Sequence, residues 1–279
     1  MRLLHISDVH FGPKHLPEVA EGVLRLVAER RPEAVILSGD LTQRAKEEQF
    51  RQARAFVDRL EAPTLVVPGN HDVPLYRRFF TLRMFNPYGP YRSFFADDLE
   101  PVMTLPGMTA VGVNTAFGWT TKHGRVTTRQ LRRLEERLAA IPQDHLRVVV
   151  AHHELIPAPR FGTQRVLRNA WEMADLCSRQ RVDLVLSGHL HQAYLGSTEQ
   201  YYAFGREPVW IVHSGTTSSS RGRGGERGVQ SCHWIECEGQ AIEVTPLRWQ
   251  GESGRFEAYG RQRVPRRPPR AVGSGRAAG

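Results

Sequence analysis

An α/β layered fold is what the order of apolar runs in this 279-residue chain predicts. Short aliphatic and β-branched runs alternate with amphipathic helical stretches through the first two-thirds, the pattern of strands covered by helices. Most of those runs stop at a Gly, Asp, Asn or His rather than fading into a linker. Beyond Gly188-His189-Leu190-His191 the helical spacing ceases and only strand-like segments follow.

Arg2–Ser7 reads as the first strand. Pro17–Arg30 has helical spacing through Val19, Val23, Leu26 and Val27. Ala34–Ser38 is a buried strand ending at Gly39-Asp40, and Ala45–Leu60 a charged amphipathic helix. Thr64–Val67 is a short strand closed by Pro68-Gly69. Met108–Asn114 is strand-like, and Thr127 or Thr128 caps a helix with Leu131, Leu134 and Leu138 on one face. Arg147–Ala151 is strongly β-branched, Ala170–Arg179 helical, and Val182–Ser187 a buried strand. Val209–His213, Ser231–Glu236 and Ile242–Leu247 read as closing strands. Two segments fit no regular element: Met84–Phe95, an aromatic loop or irregular helix, and the Gly/Ser/Arg-rich Ser214–Gly228. Phe117–Arg125 and Leu155–Asn169 read as further loops. Loops on a rigid scaffold often carry binding residues, so these are the candidate substrate-facing segments. For the aromatic one, covering a core is an equal alternative.

With 40% hydrophobic and 24% charged residues the chain belongs with globular proteins. No apolar stretch approaches the roughly 18 residues that a membrane span needs. The chain enters its first strand directly, without a signal-peptide layout, so a cytoplasmic protein is expected. Cys177, Cys232 and Cys237 are too few and too far apart for a disulfide framework or a thiolate metal site. The formal net charge of +9 invites a nucleic-acid reading. Six arginines (Arg261, Arg263, Arg266, Arg267, Arg270, Arg276) lie in the last nineteen residues, and removing them leaves +3. One domain over residues 1–258 followed by a disordered basic tail over 259–279 is therefore expected.

Five short motifs stand at or near strand ends: Asp8-Val9-His10, Gly39-Asp40, Gly69-Asn70-His71-Asp72, His152-His153 and Gly188-His189-Leu190-His191. Together they offer oxygen and imidazole donors without a thiolate, which suits two divalent cations holding a phosphate ester. Asp40, isolated on its strand end, is the best bridging carboxylate. Two aspartates against two dications leave an excess of about +2 for a phosphate oxyanion and an activated water.

In this order the motifs resemble those of the calcineurin-like metallophosphoesterases, and the Gly-Asn-His-Asp variant is similar to the bacterial class III cyclic-nucleotide phosphodiesterases. The resemblance spans roughly residues 1–250 and implies a single-domain, four-layer α/β/β/α sandwich. It implies that Asp8, His10 and His191 bind one metal, that Asn70, His152 and His189 bind the other, and that Asp40 bridges. It further implies that His71 contacts the phosphate and assists the leaving group, with Asp72 orienting its imidazole, while metal-bound hydroxide attacks in line. Manganese is the first choice of metal; iron, zinc, cobalt, nickel and magnesium remain open. In the family the first histidine of a His-His pair usually ligates, which favours His152 over His153.

The expected partner is a small phosphodiester, such as a 3',5'-cyclic nucleotide. A DNA or RNA nuclease, a phosphomonoesterase, a lipid-headgroup hydrolase and a non-catalytic scaffold are the competing readings. Nucleic acid is not favoured, since the related nucleases carry a further DNA-capping domain. A homodimer is left open. Arg221, Arg223 and Arg227 read either as a phosphate clamp or as a mobile surface loop, with the loop preferred.

Overall fold

A computed structural model of the chain describes residues 1–75, 84–118, 120, 122–158, 166–204 and 207–267. Two β-sheets lie face to face. The first has the order β12-β11-β10-β1-β2-β3, with β13 also on the outer side of β11. Its strands are β1 (Arg2–Ile6), β2 (Ala34–Leu37), β3 (Thr64–Val66), β10 (Ser231–Glu238), β11 (Ala241–Gln250), β12 (Arg255–Ala258) and β13 (Gln262–Pro265). The second has the order β4-β5-β6-β7-β9-β8, from β4 (Val102–Leu105), β5 (Met108–Val113), β6 (Leu146–Ala151), β7 (Leu184–Ser187), β8 (Tyr194–Ser197) and β9 (Trp210–His213). Parallel strands form one half of the first sheet, β1 beside β2 and β2 beside the edge strand β3, and the centre of the second, β5, β6, β7 and β9 in turn.

Alternation along the strands sorts side chains into three cores. Leu3, Ile36, Leu65, Val148, Leu186, Ile235 and Val244 fill the space between the sheets. Leu4, Leu37, Val23, Phe50 and Phe56 lie on the outer face of the first sheet, under α1 (Pro17–Arg30) and α2 (Glu47–Asp58). Val149, Val185, Leu134 and Met173 do the same outside the second, under α4 (Thr128–Ala139) and α5 (Ala170–Arg179). The result is the expected four-layer α/β/β/α sandwich. Thr127 caps α4 by accepting the Gln130 amide, and Gln130 returns a side-chain acceptor to Thr127.

One open alternative is decided and one expected boundary changes. Within Met84–Phe95, residues Gly89–Phe94 form a short helix, α3. Tyr91 is buried, the Phe94 ring stacks on Phe50 at 5.9 Å, and Phe95 stacks on Tyr91 at 5.3 Å. This stretch covers a core. Ordered structure also runs past residue 258: β13 pairs with β11, buries Val264, and is followed by Arg267, whose guanidinium donates to the carbonyls of Ser178, Glu207 and Pro208. Unsatisfied carbonyls and an open β11 edge recruit residues whose composition alone reads as solvated. Residues 268–279, with Arg270 and Arg276, lie outside the described residues. No described helix is long and apolar enough to cross a membrane.

Candidate metal centre

The motif residues meet at the carboxyl ends of the parallel strands, where ligands gather in α/β sheets. Asp8 follows β1, Asp40 follows β2, Asn70 opens a 3-10 turn after β3, His152 directly follows β6, and His189 and His191 follow β7. Backbone bonds lock these loops together: Asp8 and His10 amides donate to the Gly39 and Asp40 carbonyls, both at 3.0 Å, and the Gly188 amide to the His152 carbonyl at 2.9 Å. The His189 amide reaches Asp8 Oδ2 at 3.0 Å, tying one sheet to the other.

One group of donor atoms comes from Asp8, His10, Asp40 and His191, all within 4.8 Å of one another. His191 Nε2 lies 3.1 Å and His10 Nε2 3.5 Å from Asp8 Oδ1, and His10 Nε2 is 3.6 Å from Asp40 Oδ2. Across Asp40, His152 Nε2 lies 3.3 Å from Asp40 Oδ1 and 3.3 Å from Asn70 Oδ1. The His189 ring stands 5.3 Å from that of His152. All seven predicted ligands are therefore brought together, with Asp40 between the two groups.

The chemistry of the donors fits cations. Asp8 and Asp40 are fully buried, yet Asp8 Oδ1 and Asp40 Oδ2 accept no hydrogen bond, a costly arrangement unless a cation meets them. His10, His152 and His191 donate Nδ1–H to the carbonyls of Thr42 (3.3 Å), Ser38 (2.8 Å) and Arg221 (2.8 Å). That fixes the tautomer and turns each Nε2 lone pair towards the carboxylates, the way a protein prepares a metal-binding imidazole. The electrostatics agree. Against its burial, the carboxylates of Asp40 and Asp8 pull His152 up to about 10, while burial takes His10 down to about 4. Two buried negative charges are seeking positive charge, which divalent ions at these donors would supply.

The backbone at the centre is strained. Asp8, His10, Asp40, His189 and His191 all have positive φ, between 45° and 79°, in the left-handed region that side chains with a Cβ avoid. Residues held so cluster where geometry serves a site.

His71 and Asp72 do not relate as expected. His71 Nδ1 donates to the Gln43 carbonyl at 2.8 Å, and its amide donates to Asp40 Oδ1 at 2.8 Å. Asp72 turns the other way: Oδ2 accepts the Leu41 and Gly69 amides at 3.1 and 2.9 Å, and Oδ1 accepts the Thr42 amide at 2.8 Å and its hydroxyl at 3.0 Å. The Gln43 carbonyl orients the imidazole, and Asp72 clamps the turn to the loop after β2. A carboxylate one residue along a tight turn faces the inside of that turn, where amides compete for it. Burial and then the charge of Asp40 push the Asp72 carboxyl up to about 7, opposed by its amide donors. Asp72→Asn would face amide donors with an amide NH2 whichever way it turned. It should cost about 3 kcal/mol, read as a lower urea midpoint at unchanged slope.

Sequence reasoning missed several residues. His153, passed over for His152, joins His152 and His189 in a second group of donor atoms and holds Thr115 Oγ1 at 2.8 Å. The Ser214–Gly228 segment is anchored: the Arg221 carbonyl holds His191, Thr216 Oγ1 donates to the Asp8 carbonyl at 2.7 Å, and Glu226 Oε2 accepts the Ala193 amide at 3.0 Å. Arg221 Nη2 donates to His71 Nε2 at 3.1 Å. Arg221 and Arg223 line a cavity of about 470 Å³ together with Asp40, Asn70, His71, His189 and His191; Arg227 does not. The Arg-Gly repeat was the only signal for this, and Gly-rich composition reads equally well as a mobile loop.

A double sheet with paired donor groups at its strand ends defines a metal-dependent hydrolase of phosphate esters. The family model of the calcineurin-like phosphoesterases matches residues 1–193, and the chain belongs to that family. It is 26% identical to the 3',5'-cyclic adenosine monophosphate phosphodiesterase CpdA of Escherichia coli over 203 residues, 69% of this chain and 70% of that one. A cAMP/cGMP dual specificity phosphodiesterase of Mycobacterium tuberculosis is 26% identical over 283 residues, covering 94% and 84%. The fold is shared with a dimetal phosphatase of Danio rerio (TM-score 0.66, 10% identity, 96% of this chain and 99% of that one) and a purple acid phosphatase of yellow lupin (TM-score 0.72, 14% identity, 95% of this chain). The chain spans about half, 53%, of the lupin structure.

Proposed function

We propose that the protein hydrolyses a small phosphodiester at a dinuclear centre held by Asp8, His10, Asp40 and His191 on one side and Asn70, His152 and His189 on the other, with Asp40 shared. The observation that carries the reading is the pair of buried, unsatisfied carboxylate oxygens facing imidazoles whose Nδ1 atoms are already committed. Bound divalent ions, manganese first among them, would polarise the phosphoryl oxygens and activate a water. The remaining work falls to side chains. The cavity mouth admits the ester beside His71, whose Nε2 takes a place at the leaving oxygen while the Gln43 carbonyl holds Nδ1–H in line. Arg221, now on that Nε2, is released to a phosphoryl oxygen, where its planar fork suits two acceptors. A cyclic nucleotide is one candidate ester, supported by the names of the relatives above.

The test is turnover of a chromogenic phosphodiester beside its monoester by the manganese-loaded chain, with Asn70→Ala as control. The diester should be preferred, and the variant should lose about a hundredfold in rate. A monoester preference that survives in Asn70→Ala would sink the assignment.

A further inference from the structure

Arg44, Lys122, Arg221 and Arg223 line the cavity that contains His71, His189 and His191. Among the described residues none of these four makes an ion pair. Arg44 donates to the Gln43 carbonyl and Arg221 to an imidazole nitrogen, both neutral acceptors. Glu154 feels the charge of Arg223 but is itself buried. Arg44 and Arg223 repel Arg221, whose proton affinity is lowered by burial and then by these neighbours, against the pull of Asp40 and Asp8. Unpaired like charges converging on one cavity disfavour the free protein and reward an anion that joins them.

The number of charges exceeds what a simple diester needs. A scissile phosphodiester carries one negative charge, and two dications against Asp8 and Asp40 would leave an excess of about +2, enough to offset the diester and an ionised water together. Four further cations would then face a neutral complex. Among the described lining residues four are cationic and one, Leu75, is aliphatic, so an anion entering the cavity finds positive charge from several side chains. A cavity of about 470 Å³ is the size of a small-molecule site.

We propose that the substrate is a small phosphodiester bearing a second phosphate beside the scissile one, with Arg221 on the scissile phosphoryl and Arg223, Lys122 and Arg44 on the second phosphate. This rests on the phosphodiesterase reading. Hydrolysis is balanced without a co-reactant: the water oxygen bonds to phosphorus, the bond to the ester oxygen breaks, and one proton from the water ends on the departing oxygen.

A matched pair of probes tests it. Thymidine 5'-(p-nitrophenyl phosphate) and the same compound with a 3'-phosphate share a scissile bond and a leaving group, and a p-nitrophenyl ester of a nucleoside 5'-diphosphate places the extra phosphate elsewhere. With the manganese-loaded full chain, at least one doubly phosphorylated probe should exceed the parent about tenfold in kcat/KM, with the gain in KM. Arg223→Ala and Lys122→Ala should bring that ratio towards one, and added salt should lower it. A parent hydrolysed as well as both extended probes overturns this inference and leaves the phosphodiesterase reading standing. No hydrolysis of any probe by protein shown calorimetrically to bind manganese overturns both. A single-stranded oligonucleotide cleaved in preference to every small probe overturns the small-molecule assignment, the adjacent phosphates then coming from a nucleic-acid strand.

Discussion

Asp40→Asn is expected to lower turnover of any phosphodiester about a thousandfold, equivalent to about 4 kcal/mol of lost transition-state stabilisation. The substitution keeps the shape of the side chain and removes its charge. Asp40 stands between the two donor groups: Oδ2 faces His10 and Oδ1 faces His152 while also holding the His71 amide. An amide in its place offers one oxygen instead of two and presents NH2 to whichever side it turns. One metal position should be weakened more than the other, so calorimetric titration with manganese should fall from two equivalents towards one. A variant that retained both equivalents and its rate would show that Asp40 does not bridge.

Gly69→Ala should be as damaging by a different route. A Cβ built on Gly69 would overlap Asp40 Oδ1 and the Asp40 backbone nitrogen, and would lie 2.9 Å from its Cα. Backbone cannot move aside as a flexible side chain can. Either the Asn70–Asp72 turn or the loop after β2 must shift, and both are clipped together by Asp72. Loss of about 3 kcal/mol in stability is expected, together with activity at least a hundred times lower. Thermal unfolding and turnover on the same preparation check both. A fully active, equally stable Gly69→Ala protein would mean that the turn and the loop are not packed as described.

Most of the central strands, and the gathering of the motif residues at their ends, were legible because both are written locally. Buried parallel strands are short apolar runs, and a ligand just past a strand end is marked by the glycine or histidine that interrupts the run. What sequence did not reveal depends on who sits opposite. The partner of His71 is a carbonyl twenty-eight residues away, and a carbonyl carries no residue type to read. Asp72 looks like an orienting acid because it adjoins a histidine, yet the turn points it at amides. Arg221 acts through both its carbonyl and its guanidinium, and glycine-rich flanks conceal both. Likewise β13 is polar in composition and becomes a strand through the free edge of β11.

The left-handed backbone at Asp8, His10, Asp40, His189 and His191 has a consequence for the life of the protein. Each such residue costs on the order of 1 kcal/mol to hold, and the cost falls on folding whether or not cations are present. Cations that bind only the folded chain repay it by mass action. The metal-starved chain therefore opens more often, and opened chains are what proteases remove. Abundance should then follow metal supply, so that a shortage of the ion lowers the amount of enzyme as well as the activity of each copy.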